Sequence, residues 1–109
     1  MTSRKINDRA LRQIDGIFDY IAQRDARAAQ KVVDRIHAII DFVTERPRIG
    51  HKTRESGVRT YIVDPYPYVV FYRYSERRDE VQIVRVRHGA MKRAGLQDEA
   101  VEFRAQPAS

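Results

Sequence analysis

Two stretches in the second half of the chain decide the fold: Pro67-Tyr68-Val69-Val70-Phe71-Tyr72-Arg73-Tyr74 and, after a short charged segment, Val81-Gln82-Ile83-Val84-Arg85-Val86-Arg87-His88-Gly89. Both are rich in β-branched and aromatic residues, which favour strands, and both carry basic residues towards their ends. Strands joined by a short turn pair antiparallel, so we expect a small sheet with cations gathered at one end. Such an end suits an anionic ligand or a protein partner.

A third strand is predicted just before these two. Residues 58–63 alternate in character, and Asp64-Pro65 then ends the run. The predicted strands therefore cover residues 58–63, 68–74 and 80–87. The middle one is almost entirely apolar or aromatic, as expected of a central strand covered on both faces.

The first half of the chain is predicted to form two helices. Apolar residues recur with helical spacing in two stripes: Ala10, Ile14, Ile17, Phe18 and Ile21, then Ala29, Val32, Val33, Ile36, Ile40 and Val43. Asn7 or Asp8 is the predicted cap of the first helix and Asp25 that of the second. The second helix is expected to end near Glu45, because Pro47 cannot continue it.

The short linker between these helices predicts an antiparallel hairpin. The aromatic side chains of Phe18, Tyr20 and Phe42 are interpreted as core or core-edge residues. The predicted fold is thus α+β, with an N-terminal helical hairpin packed on a small, mainly antiparallel sheet. The sheet face turned away from the hairpin needs cover, and we expect a partner segment to supply it.

Composition and charge limit the classes of function and partner to be considered. The chain has 109 residues, enough for one domain, and it has no cysteine. It carries net charge +6, of which residues 46–93 hold +7 and residues 94–109 about −2. A basic face of this kind suits nucleic acid or an acidic protein, although a merely solvated surface is an equally good interpretation. No signal peptide or membrane span is evident, so a cytoplasmic location is expected.

Residues 46–57 form a connection rich in glycine, proline and cations. It brings Arg48, His51, Lys52 and Arg54 together, which suits phosphate binding or an ordinary solvated loop. No glycine-rich phosphate loop occurs, and the histidines at positions 37, 51 and 88 have no metal-ligand spacing. Neither a cofactor nor a metal is predicted.

The order of these pieces resembles the ParE/RelE superfamily of type II toxin–antitoxin toxins. The resemblance rests on the hairpin ending near a proline, Gly57-Val58-Arg59, the run from Pro67 to Arg73, and the run from Ile83 to Ala90. It implies a β-α-α-β-β-β order with an additional first strand near residues 2–6. It also implies a toxin domain over residues 1–93, with residues 94–109 as its C-terminal tail.

The resemblance implies a partner and two alternative activities. Superfamily toxins are neutralised by an antitoxin whose acidic and apolar C-terminal segment wraps the toxin. ParE-like members poison DNA gyrase, whereas RelE-like members cut messenger RNA on the ribosome. RelE-like sites usually place a tyrosine near the end of the last strand, but this chain has no tyrosine after Tyr74. The ParE-like interpretation, without enzymatic activity, is therefore preferred, and an inactive relative that acts as a binding module is a further alternative.

The resemblance also suggests roles for individual residues. Residues predicted to contact a ParD-like antitoxin are Arg59, Tyr61, Tyr68, Tyr72, Arg73, Arg85 and Arg87. Residues predicted to contact gyrase are Met91, Lys92 and Arg93. In the RelE-like alternative, the catalytic candidates are Arg59, Arg73, Arg85 and His88, with the arginines holding phosphate and the histidine moving protons.

Simpler structural roles are open for the same residues. The simpler alternative pairs Arg59 and Arg73 with Asp64, Glu76 or Asp79 across the sheet and packs the tyrosines within it, but contact with the antitoxin is the preferred role of the arginines. In the ParE-like interpretation His88 is a structural residue at the strand end.

Overall fold

The computed structural model describes residues 1–89, which form two helices and a five-stranded mixed sheet. The predicted α+β class is confirmed. The elements in chain order are β1 (Ser3–Ile6), α1 (Asp8–Ala22), α2 (Ala26–Glu45), β2 (His51–Lys52), β3 (Val58–Ile62), β4 (Tyr68–Ser75) and β5 (Glu80–His88). Neither helix is long and apolar enough to span a membrane, considering the described residues.

Each helix begins directly after a side chain that caps its first turn. The Asn7 side chain accepts a hydrogen bond from the Ala10 N–H at 2.9 Å, and Asp25 accepts one from the Ala28 N–H at 3.0 Å. Asn7 rather than Asp8 is therefore the cap of α1. The interpretation of Tyr20 as a core or core-edge residue is wrong, because Tyr20 is 74% exposed.

The strand order is β1-β5-β4-β3-β2, so β4 occupies the centre, as predicted. All pairs are antiparallel except β1 and β5, which run parallel. The first strand implied by the family resemblance is thus present, and Arg4 in it forms an ion pair with Asp41 of α2. The strand β2 was not predicted; its two residues pair with β3 within the connection interpreted as a loop.

A β-bulge in β5 determines which side chains share a face. Tyr72 is paired with Ile83, but Phe71 is paired with Arg85, so Val84 is the extra residue. Beyond Val84 the alternation of β5 is inverted, which turns Arg85 to the same face as Phe71. The sequence contains a signal for this change, because the adjacent apolar residues Ile83 and Val84 interrupt the alternation.

The main hydrophobic core lies between the helices and one face of the sheet, here called the helix face. The opposite face, here called the second face, carries a smaller cluster formed by Val58, Val69 and Phe71, with Val84 against it. These three core side chains of the second face are no more than 1% exposed. The expectation of an uncovered apolar face is therefore wrong for them.

Candidate functional site

Three arginines of neighbouring strands share the second face. Arg85 is paired with Phe71, Arg87 with Val69, and Arg73 with Val58 on the adjacent strand. Directly paired residues point to the same side of a sheet, so Arg73, Arg85 and Arg87 belong to one surface. We call these three side chains the arginine cluster.

Phe71 supports two of these arginines. The Cζ atom of Arg85 lies 4.3 Å from the centre of the Phe71 ring, and that of Arg87 lies 5.6 Å away. Guanidinium groups at such distances are attracted by the negative face of the ring. Arg85 is only 8% exposed, and its charge is accommodated by this contact with Phe71 together with an ion pair to Glu55.

Glu55 brings the one carboxylate of the 46–57 connection to this cluster. Its Oε1 accepts a hydrogen bond from Nη2 of Arg85 at 2.8 Å, and its Oε2 accepts one from Nη2 of Arg73 at 3.1 Å. The hydrogen bond from Arg85 is the main cause that lowers the pKa of the Glu55 carboxyl, and the charges of Arg85, Arg73 and Arg87 add to it. Glu55 is therefore held as an anion between cations.

The turn that carries Glu55 is fixed by local hydrogen bonds. The Glu55 N–H donates to the Thr53 hydroxyl at 3.1 Å, and the Glu55 carbonyl accepts from the Val58 N–H at 3.0 Å. Gly57 has a φ of 78°, a left-handed conformation that side chains disfavour. Arg73 also donates to the Ser56 carbonyl at 3.1 Å, so the cluster itself binds the turn.

Arg59 does not join the cluster, because it lies on the helix face. It is paired with Tyr72, and its Nη1 donates to the carbonyl oxygens of Gly50 at 2.9 Å and Arg48 at 3.2 Å. Neither Arg59 nor Arg73 takes the carboxylates suggested from the sequence; Arg73 pairs with Glu55 instead. The phosphate clamp of the RelE-like alternative is thus divided between the two faces of the sheet.

His88 also lies away from the arginine cluster. It is paired with Tyr68 on the helix face, and the two rings meet edge to face with their centres 5.3 Å apart. An open groove of about 660 Å³ adjoins this pair and is also lined by Ile17 and Tyr20 of α1. A histidine placed here is separated from Arg73 and Arg85 by the thickness of the sheet.

The three predicted contact tyrosines are largely internal. Tyr72 is fully buried; its hydroxyl accepts a hydrogen bond from the Gly50 N–H and donates one to the Pro47 carbonyl at 2.9 Å. Tyr68 is 8% exposed, and Tyr61 is half-buried with its ring 5.4 Å from that of Phe42. Burial raises the pKa of both Tyr68 and Tyr72. Tyr72 cannot contact a partner in this conformation, which corrects its predicted role.

Part of the predicted site lies outside the described residues. Met91, Lys92 and Arg93 belong to this part, as does the tail over residues 94–109. Within residues 1–89, no group of three or more histidine, aspartate or glutamate side chains is placed to hold a metal ion.

The geometry described above is that of an anion-binding surface. Arg73 and Arg85 already bind a carboxylate through two separate oxygens, and Arg87 adds its charge nearby. His88, the proton-transfer candidate of the RelE-like alternative, lies on the other face. The arrangement favours binding of an acidic group over acid–base chemistry.

Comparison with known proteins gives a consistent result. A family model described as ParE toxin of type II toxin-antitoxin system, parDE, matches residues 5–93. The chain is 38% identical over 80 residues to Y4kP of Sinorhizobium fredii, named as a toxin, covering 73% of this chain and 80% of that protein. It is also 38% identical over 82 residues to Toxin RelE2 of Caulobacter vibrioides, a match that covers 75% of this chain and 89% of that protein.

A solved structure shares the fold. It is described as the chromosomal ParDE TA system from P. aeruginosa, with a TM-score of 0.70 and 25% sequence identity. The similarity covers 81% of this chain and 96% of that chain.

Proposed function

Because the chain belongs to the ParE toxin family of type II toxin–antitoxin systems, we propose that it poisons DNA gyrase and that a ParD-like antitoxin neutralises it. The observation that carries the proposal is the match of the ParE family model to residues 5–93. The placement of side chains supports it. The RelE-like catalytic candidates are divided by the sheet, with Arg59 and His88 on one face and Arg73 and Arg85 on the other.

The arginine cluster is the proposed contact for the antitoxin. Antitoxins of this superfamily are expected to present acidic side chains, and the cluster already holds one carboxylate in a two-oxygen contact. Arg73, Arg85 and Arg87 therefore remain in the proposed contact set, whereas Tyr72 leaves it because of its burial. Arg59, Tyr61 and Tyr68 would need a partner that also reaches the helix face.

The proposed contact with gyrase involves residues outside the described part of the chain. Met91, Lys92 and Arg93 are proposed to contact gyrase, so a chain ending at residue 90 should lose toxicity and still bind the antitoxin. Loss of both properties would instead indicate a folding defect, which a circular dichroism spectrum of the shortened chain would reveal. The cytoplasmic location expected from the sequence also stays a prediction.

The proposed target is tested by incubating the purified chain with DNA gyrase, ATP and plasmid. We expect loss of supercoiling and accumulation of protein-linked cleaved DNA, both reversed when the product of the neighbouring antitoxin gene is added. The same reaction with topoisomerase I in place of gyrase serves as a specificity control. No effect on gyrase at an excess of toxin would contradict the proposal.

A RelE-like function is the second candidate, because the identity to Toxin RelE2 of Caulobacter vibrioides is as high as that to Y4kP. In that case programmed ribosomes with messenger RNA in the decoding site should yield a cleaved message when the chain is added. Arg85→Gln should abolish this cleavage, since Arg85 would hold phosphate. A chain that acts in neither assay but binds the antitoxin would be an inactive relative that acts as a binding module.

A further inference from the structure

Glu55 occupies the position that an external acidic group would take on the arginine cluster. It binds Arg85 with one oxygen and Arg73 with the other, at 2.8 and 3.1 Å. It comes from a turn and not from the sheet, and its side chain is 41% exposed. A long, half-exposed side chain can leave such a position by rotating about its own bonds, without any change in the strands.

We propose that Glu55 is an internal ligand of the arginine cluster, and that an acidic segment of a protein partner displaces it and places its own carboxylates on Arg73 and Arg85. The identity of the partner as an antitoxin rests on the proposed function. The displacement itself rests only on the contacts of Glu55. A ligand must therefore displace the Glu55 carboxylate before it can bind Arg73 and Arg85, and we expect a ligand with few acidic groups to bind weakly.

The energetic balance allows such an exchange. The pair of Arg73 and Glu55 joins two partly exposed side chains and contributes little to stability, because water competes for both charges. Arg85 is nearly buried and needs a carboxylate partner, which the external segment supplies when it replaces Glu55. An internal carboxylate nevertheless has a high effective concentration, because the turn holds it next to the arginines. A single external carboxylate would therefore not displace Glu55. A segment that carries several carboxylates can displace it, because the segment contacts several arginines of the cluster at once.

The structure favours an acidic peptide over a nucleic acid as the ligand. Single-stranded nucleic acids bind through phosphate contacts together with stacking of bases on exposed aromatic rings. The aromatic ring at the centre of this surface, Phe71, is fully buried, and the guanidinium groups of Arg85 and Arg87 lie over it. Within residues 1–89, the surface thus offers charge-assisted hydrogen bonds and no exposed aromatic ring on which a base could stack.

The proposal can be tested with the full chain and hexaglutamate as the probe. Binding is followed by the side-chain N–H resonances of the arginines in an NMR titration, which also measures weak affinities. Glu55→Gln keeps the size of the side chain and removes the negative charge that Glu55 places on Arg73 and Arg85. Glu45→Gln is the matched control, because it makes the same change of charge at an exposed residue at the end of α2.

We expect Glu55→Gln to tighten hexaglutamate binding roughly threefold to tenfold, and Glu45→Gln to change it by less than about twofold. Arg73→Gln should weaken binding by a similar factor, whereas Arg27→Gln on α2 should not. An equal effect of the two glutamate variants would overturn the proposal. So would tighter binding of hexauridylate than of hexaglutamate at equal salt, because the ligand would then be a nucleic acid.

A measurement on the unchanged chain tests the displacement without relying on variants, whose fold could be altered. The Glu55 carboxyl carbon should shift towards the value of a free glutamate as hexaglutamate is added. A Glu55 resonance that stays fixed while the arginines respond would overturn displacement. The titration contains neither gyrase nor antitoxin, so failure of the proposed target and failure of this inference are distinguishable.

Discussion

The hydroxyl of Tyr72 accepts a hydrogen bond from the backbone N–H of Gly50 at 2.8 Å. Tyr72 lies in the central strand, and Gly50 directly precedes the short edge strand β2. The same hydroxyl donates to the carbonyl of Pro47, so one buried side chain satisfies two backbone groups of the connection after α2. This contact fixes the start of the segment that carries β2 and, further along, Glu55.

Tyr72→Phe should destabilise the fold. It removes one hydroxyl but leaves the Gly50 N–H and the Pro47 carbonyl without their partner, at a cost of about 1–3 kcal/mol. For a domain of this size the melting temperature should fall by roughly 4–8 °C for each kcal/mol. Thermal and urea unfolding measure both quantities. Tyr20→Phe is the control, because the exposed Tyr20 should change stability by less than about 0.5 kcal/mol.

Gly50→Ala should also destabilise the fold, for a steric reason. A Cβ atom at this position would lie 2.4 Å from the Tyr72 hydroxyl and 2.8 Å from the Thr60 carbonyl oxygen. Such overpacking typically costs about 1–3 kcal/mol. Gly16→Ala in α1 meets nothing within 4 Å and should stabilise the helix by about 0.5–1 kcal/mol. Equal unfolding free energies for the two variants would contradict this account of the Gly50 site.

The ion pairs of Glu55 make stability depend on pH. Arg85, Arg73 and Arg87 hold the pKa of its carboxyl below the ordinary value of 4.5. The contribution is therefore complete above pH 4.5 and is lost as the pH falls through the lower pKa of the folded state. Because Glu55 is 41% exposed, solvent screening limits the loss to less than about 1 kcal/mol.

Urea unfolding at a series of pH values tests the Glu55 contribution. Glu55→Gln should show a smaller decrease in the free energy of unfolding than the unchanged chain below pH 4.5, and the two should differ by a constant amount above it. The pKa of Asp79 is also lowered, by hydrogen bonds from Thr2 and Tyr74, so Asp79 adds a pH dependence of its own. The comparison with Glu55→Gln isolates Glu55 because Asp79 is present in both chains. Parallel curves over the whole range would refute the contribution.

His88→Ala should lower stability without selectively removing toxicity. The edge-to-face contact with Tyr68 is worth about 0.5–1.5 kcal/mol, and the histidine lies on the face opposite the arginine cluster. Growth arrest on induction, corrected for the amount of folded protein, gives the functional measurement. His51→Ala, at an exposed position of β2, is the control for stability. Loss of toxicity in fully folded His88→Ala would revive the nuclease alternative.

Local sequence determined the helices, their caps and the three long strands of this protein. The apolar stripes of α1 and α2 and the side chains of Asn7 and Asp25 act within a few residues, so their effect is readable without the fold. The same holds for the apolar run of β4, which predicted its central place. The parallel strand β1 was predicted only from the family resemblance, because its four mostly exposed residues have no apolar pattern of their own.

Only the tertiary structure decided which charged residues meet. Arg59, Arg73 and Arg85 look equivalent along the chain, but a side chain changes face with every step along a strand, and the bulge at Val84 inverts that alternation within β5. Arg73 and Arg85 therefore share the second face, and Arg59 lies on the other. Glu55 joins them across 18 and 30 residues of sequence, a contact that no local pattern encodes because it depends on how the sheet is paired.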